Sequence, residues 1–259
     1  MTNSRVLRKL RAGETAKCTS MSRVTEPWLA EVIGRSGFDV IWFDLEHRSH
    51  NYHMIDPISL ACRATGIDLM VRIRKSGYDS VMRALEFGAN GIMVPHCRSA
   101  EEARQWVEWA KFPPAGKRGL DGAGADADWG FAPLLDHIRH ANEQTFVVLQ
   151  IEDREAVEQI EEIAAVPGFD VLFVGPGDLS LSYGVPGETQ HPLLEAAIDR
   201  IAAACGRHGK WWGTVTGHPA RAQNILDRGG RFLAVPGDHG WLVRGLAETW
   251  ASFGPIQPS

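Results

Sequence analysis

The architecture can be recognised from residues 146–178, FVVLQIEDREAVEQIEEIAAVPGFDVLFVGPGD. An apolar run, Phe146–Ile151, is followed by a helical pattern over Asp153–Val166 and by a second apolar run, Val171–Val174. Continuous apolar runs of this length are typical of strands that are covered on both faces, because neither face then needs polar residues. Two such strands joined by a helix predict a βαβ unit of a parallel sheet.

The same unit recurs along the chain. Strands are predicted at Lys17–Met21, Asp39–Phe43, Leu69–Ile73, Gly91–Val94, Phe146–Ile151, Val171–Val174, Trp211–Val215 and Phe232–Val235. Helices are predicted at Glu26–Gly37, Asn51–Gly66, Tyr78–Gly88, Ala100–Lys111, Asp153–Val166, His191–His208, Pro219–Arg228 and Asp238–Trp250. Eight strands alternating with helices favour an α/β protein, a single (β/α)8 TIM barrel over residues 1–259. A doubly wound sheet is the alternative, but it usually carries a glycine-rich phosphate loop after its first strand, where this chain has none.

Composition excludes several other classes of protein. The chain has 259 residues, of which 44% are hydrophobic and 23% charged, so it is neither disordered, collagenous nor a coiled coil. Its net charge is −5 and it has no basic stripe, so we expect neither a nucleic-acid nor a membrane partner. Residues 1–13 are polar and basic, which is unlike a secretory signal, and no apolar run is long enough to span a membrane. Four widely spaced cysteines indicate reduced thiols, and we predict a cytoplasmic protein.

Carboxylates follow two consecutive predicted strands, Glu152 after the fifth and Asp178 after the sixth. The active site of a barrel lies where its strands end, so these two side chains are expected side by side at the rim. Two oxygen donors that leave positions free for substrate and water suit Mg²⁺ or Mn²⁺. Either carboxylate alone is also explained as a cap of the following helix.

Other polar residues stand at neighbouring strand ends. Arg72 lies near the end of the third strand, where a buried guanidinium needs either a bound anion or a structural carboxylate as its partner. His47 follows the second strand and is a candidate for proton transfer, although a lone histidine is often structural. Residues 175–178, Gly-Pro-Gly-Asp, allow a ligand to approach the backbone closely or form a simple turn. The remaining histidines, His96 among them, have no spacing that indicates a zinc site.

With these residues placed, the chain resembles the HpcH/HpaI aldolase family, the metal-dependent class II pyruvate aldolases. The resemblance runs nearly end to end and depends on the order and spacing of several short segments. These are Phe43-Asp44-Leu45-Glu46-His47, Val71-Arg72, Ala84-Leu85-Glu86-Phe87-Gly88-Ala89, Val94-Pro95, residues 113–119 (PPAGKRG), Gln150-Ile151-Glu152 and residues 175–180 (GPGDLS).

The resemblance implies a role for each candidate residue. Glu152 and Asp178 are the implied ligands of a divalent ion (Mg²⁺, Mn²⁺ or Co²⁺). Arg72 is implied to stabilise a metal-bound pyruvate enolate, His47 to transfer protons, and Asp44 to support the site. The implied substrate-binding residues are Arg72, Gln150 and Gly177, whose N–H would help to hold the carboxylate of pyruvate.

Two single positions and the segment 121–126 (DGAGAD) depart from the family pattern. Glu86 stands where the family usually has an aspartate that pairs with the histidine, so we expect Glu86 to act as the catalytic partner of His47. Arg48 stands where a glycine is common, which adds charge and bulk at the mouth of the site.

The implied activity is reversible aldol cleavage of a 4-hydroxy-2-oxo acid to pyruvate and an aldehyde. Substrates of the 4-hydroxy-2-oxoheptanedioate type and 2-keto-3-deoxy sugar acids both fit. A CoA-thioester lyase of the citrate-lyase β-subunit type, an oxaloacetate decarboxylase and a non-enzymatic binding protein are the alternatives. The resemblance also implies a homo-oligomer, a trimer or a hexamer, in which the last helices are exchanged between neighbours.

Overall fold

Eight parallel strands form a closed barrel in the computed structural model, which describes residues 2–254. The strands are β1 (Ala16–Met21), β2 (Val40–Asp44), β3 (Asp68–Arg72), β4 (Gly91–Val94), β5 (Phe146–Ile151), β6 (Val171–Val174), β7 (Trp211–Val215) and β8 (Phe232–Val235). Each strand pairs with the next, and β8 pairs with β1, so neither edge is left open. The predicted (β/α)8 barrel is confirmed, and closure excludes the doubly wound sheet.

Helices surround the barrel and connect successive strands. They are α1 (Arg5–Arg11), α2 (Pro27–Arg35), α3 (Ile55–Thr65), α4 (Tyr78–Glu86), α5 (Ala100–Ala110), α6 (Leu134–Gln144), α7 (Arg154–Glu158), α8 (Ile160–Ala164), α9 (Pro176–Ser182), α10 (Pro192–His208), α11 (Pro219–Asp227) and α12 (Asp238–Phe253). Two 3₁₀ helices, Tyr52–Met54 and Ala125–Gly130, lie in longer connections. No helix between residues 2 and 254 has the length and apolar character needed to cross a bilayer.

Some predicted boundaries were wrong. The helix predicted over Asp153–Val166 is divided into α7 and α8, because the backbone of Gln159 (φ −103°, ψ 19°) leaves helical geometry. Three helices were missed. The signal for α1 is short, since Ser4 caps a helix of only two turns, and α6 buries only His137 and Ala141, which gives a weak apolar pattern. The glycines of residues 175–178 suggested a turn, yet Pro176 at the first helical position starts α9.

Successive side chains of each strand point alternately into and out of the barrel. On β5, Phe146 and Val148 join the apolar cluster inside the barrel, while Val147 and Leu149 pack under the surrounding helices. Gln150 continues the inward series toward the carboxyl end of β5. The same parity applies to the last residues of β2 and β3, so polar side chains at these strand ends face the barrel axis.

Helix α1 closes the amino-terminal end of the barrel. Its apolar residues Val6, Leu7 and Leu10 belong to the interior cluster. Asp68, at the start of β3, fixes this helix by accepting hydrogen bonds from the hydroxyl of Ser4 and the N–H of Val6. The opposite, carboxyl end of the barrel is therefore the end that is open to a ligand.

Candidate active site

The pairing of β2 with β3 brings together the first two candidate residues. Asp44 and Arg72 are direct neighbours across these strands. The Nε of Arg72 donates to Oδ1 of Asp44 at 2.9 Å, and its Nη2 donates to Oδ2 at 2.7 Å. Both side chains are buried, so the two parallel hydrogen bonds fix the guanidinium plane at the strand ends.

The surroundings of Arg72 hold its orientation further. Its Nη1 lies 3.0 Å from Oε2 of Glu46, an ion pair without hydrogen-bond alignment, and its Cζ lies 4.8 Å from the centre of the Trp42 ring. Burial opposes ionisation of Asp44, but the hydrogen bonds and charge of Arg72 outweigh it and lower the pKa of Asp44. The pair is therefore an ionised carboxylate and a fixed cation.

His47 is the most accessible of the candidate residues at these strand ends. Its side chain is 52% exposed, and its Nε2 lies 3.7 Å from Oε2 of Glu46. Its backbone N–H donates to Oδ1 of Asp44 at 3.4 Å, which connects the loop after β2 to the Asp44–Arg72 pair. An imidazole in this position can exchange protons with a ligand or with water.

Glu152 follows β5 and is 1% exposed. Its Oε1 accepts a hydrogen bond from the backbone N–H of His96 at 2.8 Å, and its Oε2 accepts one from Nε2 of Gln150 at 2.5 Å. Gly175 packs directly on this carboxylate, because an added Cβ would lie 2.3 Å from Oε2. Burial raises the pKa of Glu152 to about 7. The hydrogen bond from the His96 N–H lowers this pKa, and the negative charges of Glu46 and Asp178 raise it further.

Asp178 lies in the first turn of α9, after β6. Together with Glu152 and His96 it lines an open pocket of about 470 Å³ at the carboxyl end of the barrel. The structure thus brings the carboxylates that follow the fifth and sixth strands to one pocket. The position of Asp178 also agrees with the helix-capping interpretation, since a carboxylate is favoured in a first turn.

These carboxylates fit a divalent ion that takes part of its coordination from elsewhere. Within residues 2–254, no three histidine, cysteine, aspartate or glutamate side chains are arranged to hold an ion by themselves. Glu152 is nevertheless a buried carboxyl group that lies close to two further negative charges, and a dication would offset that repulsion. A site with two protein oxygens keeps positions free for substrate oxygens and water.

The two other predicted substrate-binding residues lie at the same end of the barrel. Gln150 is buried, and its Oε1 has no hydrogen-bond partner in the structure. Gly177 is open on the side of its missing side chain, where an added Cβ would meet no atom within 4 Å. Both positions leave polar groups or space available for a ligand.

Glu86 lies at the other end of the barrel. It is the last residue of α4, which runs from the carboxyl end of β3 back to the amino end of β4. Burial raises the pKa of Glu86, and the charged groups that also affect this pKa are those of Arg118, Asp121 and Asp126. The predicted pairing of Glu86 with His47 is therefore not formed within one chain. His47 lies at the carboxyl end of the barrel, whereas α4 places Glu86 at the amino end.

Two residues of the site were not singled out from the sequence. Glu46 contacts Arg72, His47 and His96, and His96 donates its N–H to Glu152. Glu46 stood within a quoted segment, and His96 was set aside because the histidine spacing indicated no zinc site. The position of a polar residue just after a strand is the better indication of a place in the site, since His96 comes two residues after the end of β4.

Comparison with known proteins gives one consistent result. The family described as HpcH/HpaI aldolase/citrate lyase matches residues 21–244. The 2-dehydro-3,6-dideoxy-6-sulfogluconate aldolase of Pseudomonas putida is 36% identical, covering 83% of each chain. The hydroxypyruvate/pyruvate aldolase of Roseobacter denitrificans is 32% identical, covering 94% of this chain and 95% of that one. The crystal structure of an HpcH/HpaI aldolase from Desulfitobacterium hafniense is 30% identical, covers 97% of both chains and superimposes with a TM-score of 0.93.

Proposed function

The chain belongs to the HpcH/HpaI aldolase/citrate lyase family, and on this basis we propose that it is a divalent-metal-dependent pyruvate aldolase. It cleaves a 4-hydroxy-2-oxo acid reversibly to pyruvate and an aldehyde. The observation that carries the proposal is that the fixed Arg72–Asp44 pair and the buried carboxylate of Glu152 lie at the same open end of the barrel. The aldolase names of the relatives support the same reaction class.

The reaction needs a base for the C4 hydroxyl and an acceptor for the electron pair released when the C3–C4 bond breaks. Arg72 supplies a fixed positive charge for the oxygen on which that pair is delocalised, and Asp44 holds its guanidinium plane in place. His47 is the accessible group that takes the hydroxyl proton and returns a proton to C3, directly or through water.

Glu152 and Asp178 would hold the divalent ion. When bound, the ion supplies a Lewis acid for the keto oxygen of the substrate. Gln150 and the N–H of Gly177 bind the 2-oxo acid and orient its carboxylate. Glu86 has no part in the site that a single chain forms.

The apolar face of α12 supports a homo-oligomer, a trimer or a hexamer. Between Asp238 and Phe253 the structure buries only Asp238, while Leu246 is 69% and Trp250 is 78% exposed. A helix with large apolar side chains in water is normally covered by another surface. We propose that another copy of the chain covers it. Cytoplasmic location stays a prediction from the cysteine pattern, and all four cysteines are free, buried thiols.

The proposal is tested by pyruvate release, coupled to lactate dehydrogenase, from a panel of 4-hydroxy-2-oxo acids. The protein is treated with EDTA, and Mg²⁺, Mn²⁺ or Co²⁺ is then restored. We expect pyruvate only after metal is restored, and the best substrate identifies the aldehyde. Pyruvate release that survives removal of the metal would contradict the Glu152–Asp178 site. Acetyl-CoA release from acyl-CoA substrates, or activity confined to oxaloacetate decarboxylation, would replace the aldolase by one of the alternative activities.

A further inference from the structure

His96 has a backbone conformation that is uncommon for its residue type. Its φ is +48°, in the left-handed region, where side chains other than glycine are disfavoured. Such a conformation persists only where the surrounding structure enforces it. The contacts of His96 should therefore show what this conformation accomplishes.

The left-handed turn directs two successive N–H groups to the end of β5. The N–H of His96 donates to Oε1 of Glu152 at 2.8 Å, and the next one, of Cys97, donates to the carbonyl of Gln150 at 3.0 Å. The loop after β4 is thus attached both to Gln150 near the end of β5 and to Glu152, which follows it. One of these N–H groups contacts a proposed metal ligand directly.

Side chains from three directions hold His96 in this position. Its Nδ1 lies 3.0 Å from Oδ2 of Asp153, and its carbonyl accepts a hydrogen bond from Nζ of Lys75 at 2.8 Å. Its Nε2 faces Oε1 of Glu46 at 3.9 Å. The ring and both peptide groups of His96 are therefore engaged, and all their contacts lie on the rim of the proposed site.

We propose that His96 is a positioning residue that fixes the carboxylate of Glu152 in the orientation needed to bind the divalent ion, an inference that rests on the proposed function. Glu152 has a flexible side chain, and a hydrogen bond from a rigid backbone N–H selects one of its rotamers. Partners of this kind around a metal ligand typically change metal affinity by about 10–100-fold.

The test is a calorimetric titration of the full-length protein with Mn²⁺, free of substrate. His96→Gly accepts the left-handed conformation without strain, so it should fold, but it loses the ring contact with Asp153 and frees the loop. We expect its Mn²⁺ affinity to fall about tenfold. His96→Asn should restore the affinity to within about threefold, because asparagine tolerates the left-handed region and its side chain can hydrogen-bond locally.

Three further measurements separate positioning from general stability. His53→Gly is the matched control, since His53 is an exposed histidine on a 3₁₀ helix, and its Mn²⁺ affinity should equal that of the wild type. The melting temperature of metal-free His96→Gly should stay within a few degrees of the wild type, because the variant relieves strain. At saturating Mn²⁺, we expect the kcat of His96→Gly to lie closer to the wild-type kcat than its Mn²⁺ affinity lies to the wild-type affinity.

The outcomes are distinct. If His96→Gly binds Mn²⁺ as tightly as the wild type, or if His96→Asn is no better than His96→Gly, the positioning role is wrong. If the wild type binds no Mn²⁺, the proposed function is itself contradicted. If the wild type binds Mn²⁺ but releases no pyruvate, the aldolase proposal fails while the effect of His96 on Glu152 is still measured.

Discussion

At the scale of the residue, the site depends on which atoms carry a charge and how firmly they are held. Arg72 donates two hydrogen bonds to Asp44 and a third nitrogen faces Glu46, so its plane is fixed before a ligand arrives. A group held in this way needs no reorganisation when negative charge develops on the substrate, and this is the main source of electrostatic catalysis.

Replacing Arg72 by lysine should separate charge from geometry. In Arg72→Lys the positive charge stays, but a single ammonium group cannot make the planar, two-point contact with Asp44. We expect turnover to fall by about 100-fold or more, while Mn²⁺ affinity changes little, because the proposed metal ligands lie on other strands. Steady-state pyruvate release and Mn²⁺ titration check these two expectations. Arg35→Lys on the exposed face of α2 is the control, and wild-type turnover in Arg72→Lys would remove Arg72 from the mechanism.

At the scale of the element, the ends of the strands and the loops that follow them set the geometry of the site. The loop after β6 packs on Glu152 through Gly175, and Asp238 at the start of α12 holds the loop after β1. Each contact joins segments that are distant in sequence. Single substitutions at these joints should therefore act on the site or on stability in a predictable direction.

Gly175→Ala should displace the carboxylate of Glu152. The new Cβ would lie 2.3 Å from Oε2 and 3.0 Å from the Cβ of Glu152, so the buried side chain must move. We expect Mn²⁺ affinity to fall by about tenfold or more with the fold retained. Gly217→Ala is the matched control at the same end of the barrel, because its Cβ meets no atom within 4 Å. Equal Mn²⁺ affinities for the two variants would show that Gly175 does not constrain Glu152.

Asp238 should contribute stability that depends on pH. It is buried and accepts hydrogen bonds from the N–H groups of Ser22, Arg23 and Val24. Burial opposes its ionisation, but these donors outweigh burial and lower its pKa below the ordinary value of 3.8. The unfolded chain then binds the proton more tightly, so the stabilisation is present above the unfolded pKa and is lost as the pH falls through the folded one.

Asp238→Ala removes all of these acceptors and should cost about 3 kcal/mol of unfolding free energy at pH 7. The melting temperature should then fall by about 6–12 °C. The difference between wild type and variant should narrow in scans below about pH 4, where the carboxylate of Asp238 begins to bind a proton in the unfolded chain but not yet in the folded one. A difference that stays constant from pH 7 to pH 3 would show that the ionised form of Asp238 is not the stabilising one.

At the scale of the whole molecule, the barrel is closed and well packed, but α12 lies largely outside it. Apart from Trp241, its large apolar side chains face solvent in the single chain, whereas most of those of the strands are buried. Contact with another surface would be stabilised in proportion to the apolar area of this helix that it removes from water.

Leu246→Glu should therefore weaken self-association. A charge placed in an apolar interface is costly to bury, so we expect a smaller assembly than that of the wild type, measured by sedimentation velocity or by light scattering after size-exclusion chromatography. Leu60→Glu on α3 introduces the same change at another exposed leucine and should leave the assembly unchanged. A monomeric wild-type protein would contradict the proposed homo-oligomer at once.

The order of strands and helices was determined by the sequence itself. Strands covered on both faces are continuously apolar, so runs such as Phe146–Ile151 and Val171–Val174 can be recognised as strands from the sequence. Strands β4 to β8 have the predicted boundaries. The strand-end position of Glu152 and Arg72 follows from the same pattern. Short helices such as α1 carried too few apolar positions for an unambiguous period, and Pro176 was read as part of a turn when it begins α9.

Only the tertiary structure decided which of these residues meet. The register of β2 against β3 places Asp44 beside Arg72, and the left-handed turn at His96 brings its N–H to Glu152. Glu86 shows the converse, because helix α4 carries it away from His47 to the other end of the barrel. Sequence patterns report the local periodicity of burial, whereas contacts between distant segments depend on strand register, on barrel closure and on the return path of each helix. These properties arise only when all eight strands are paired.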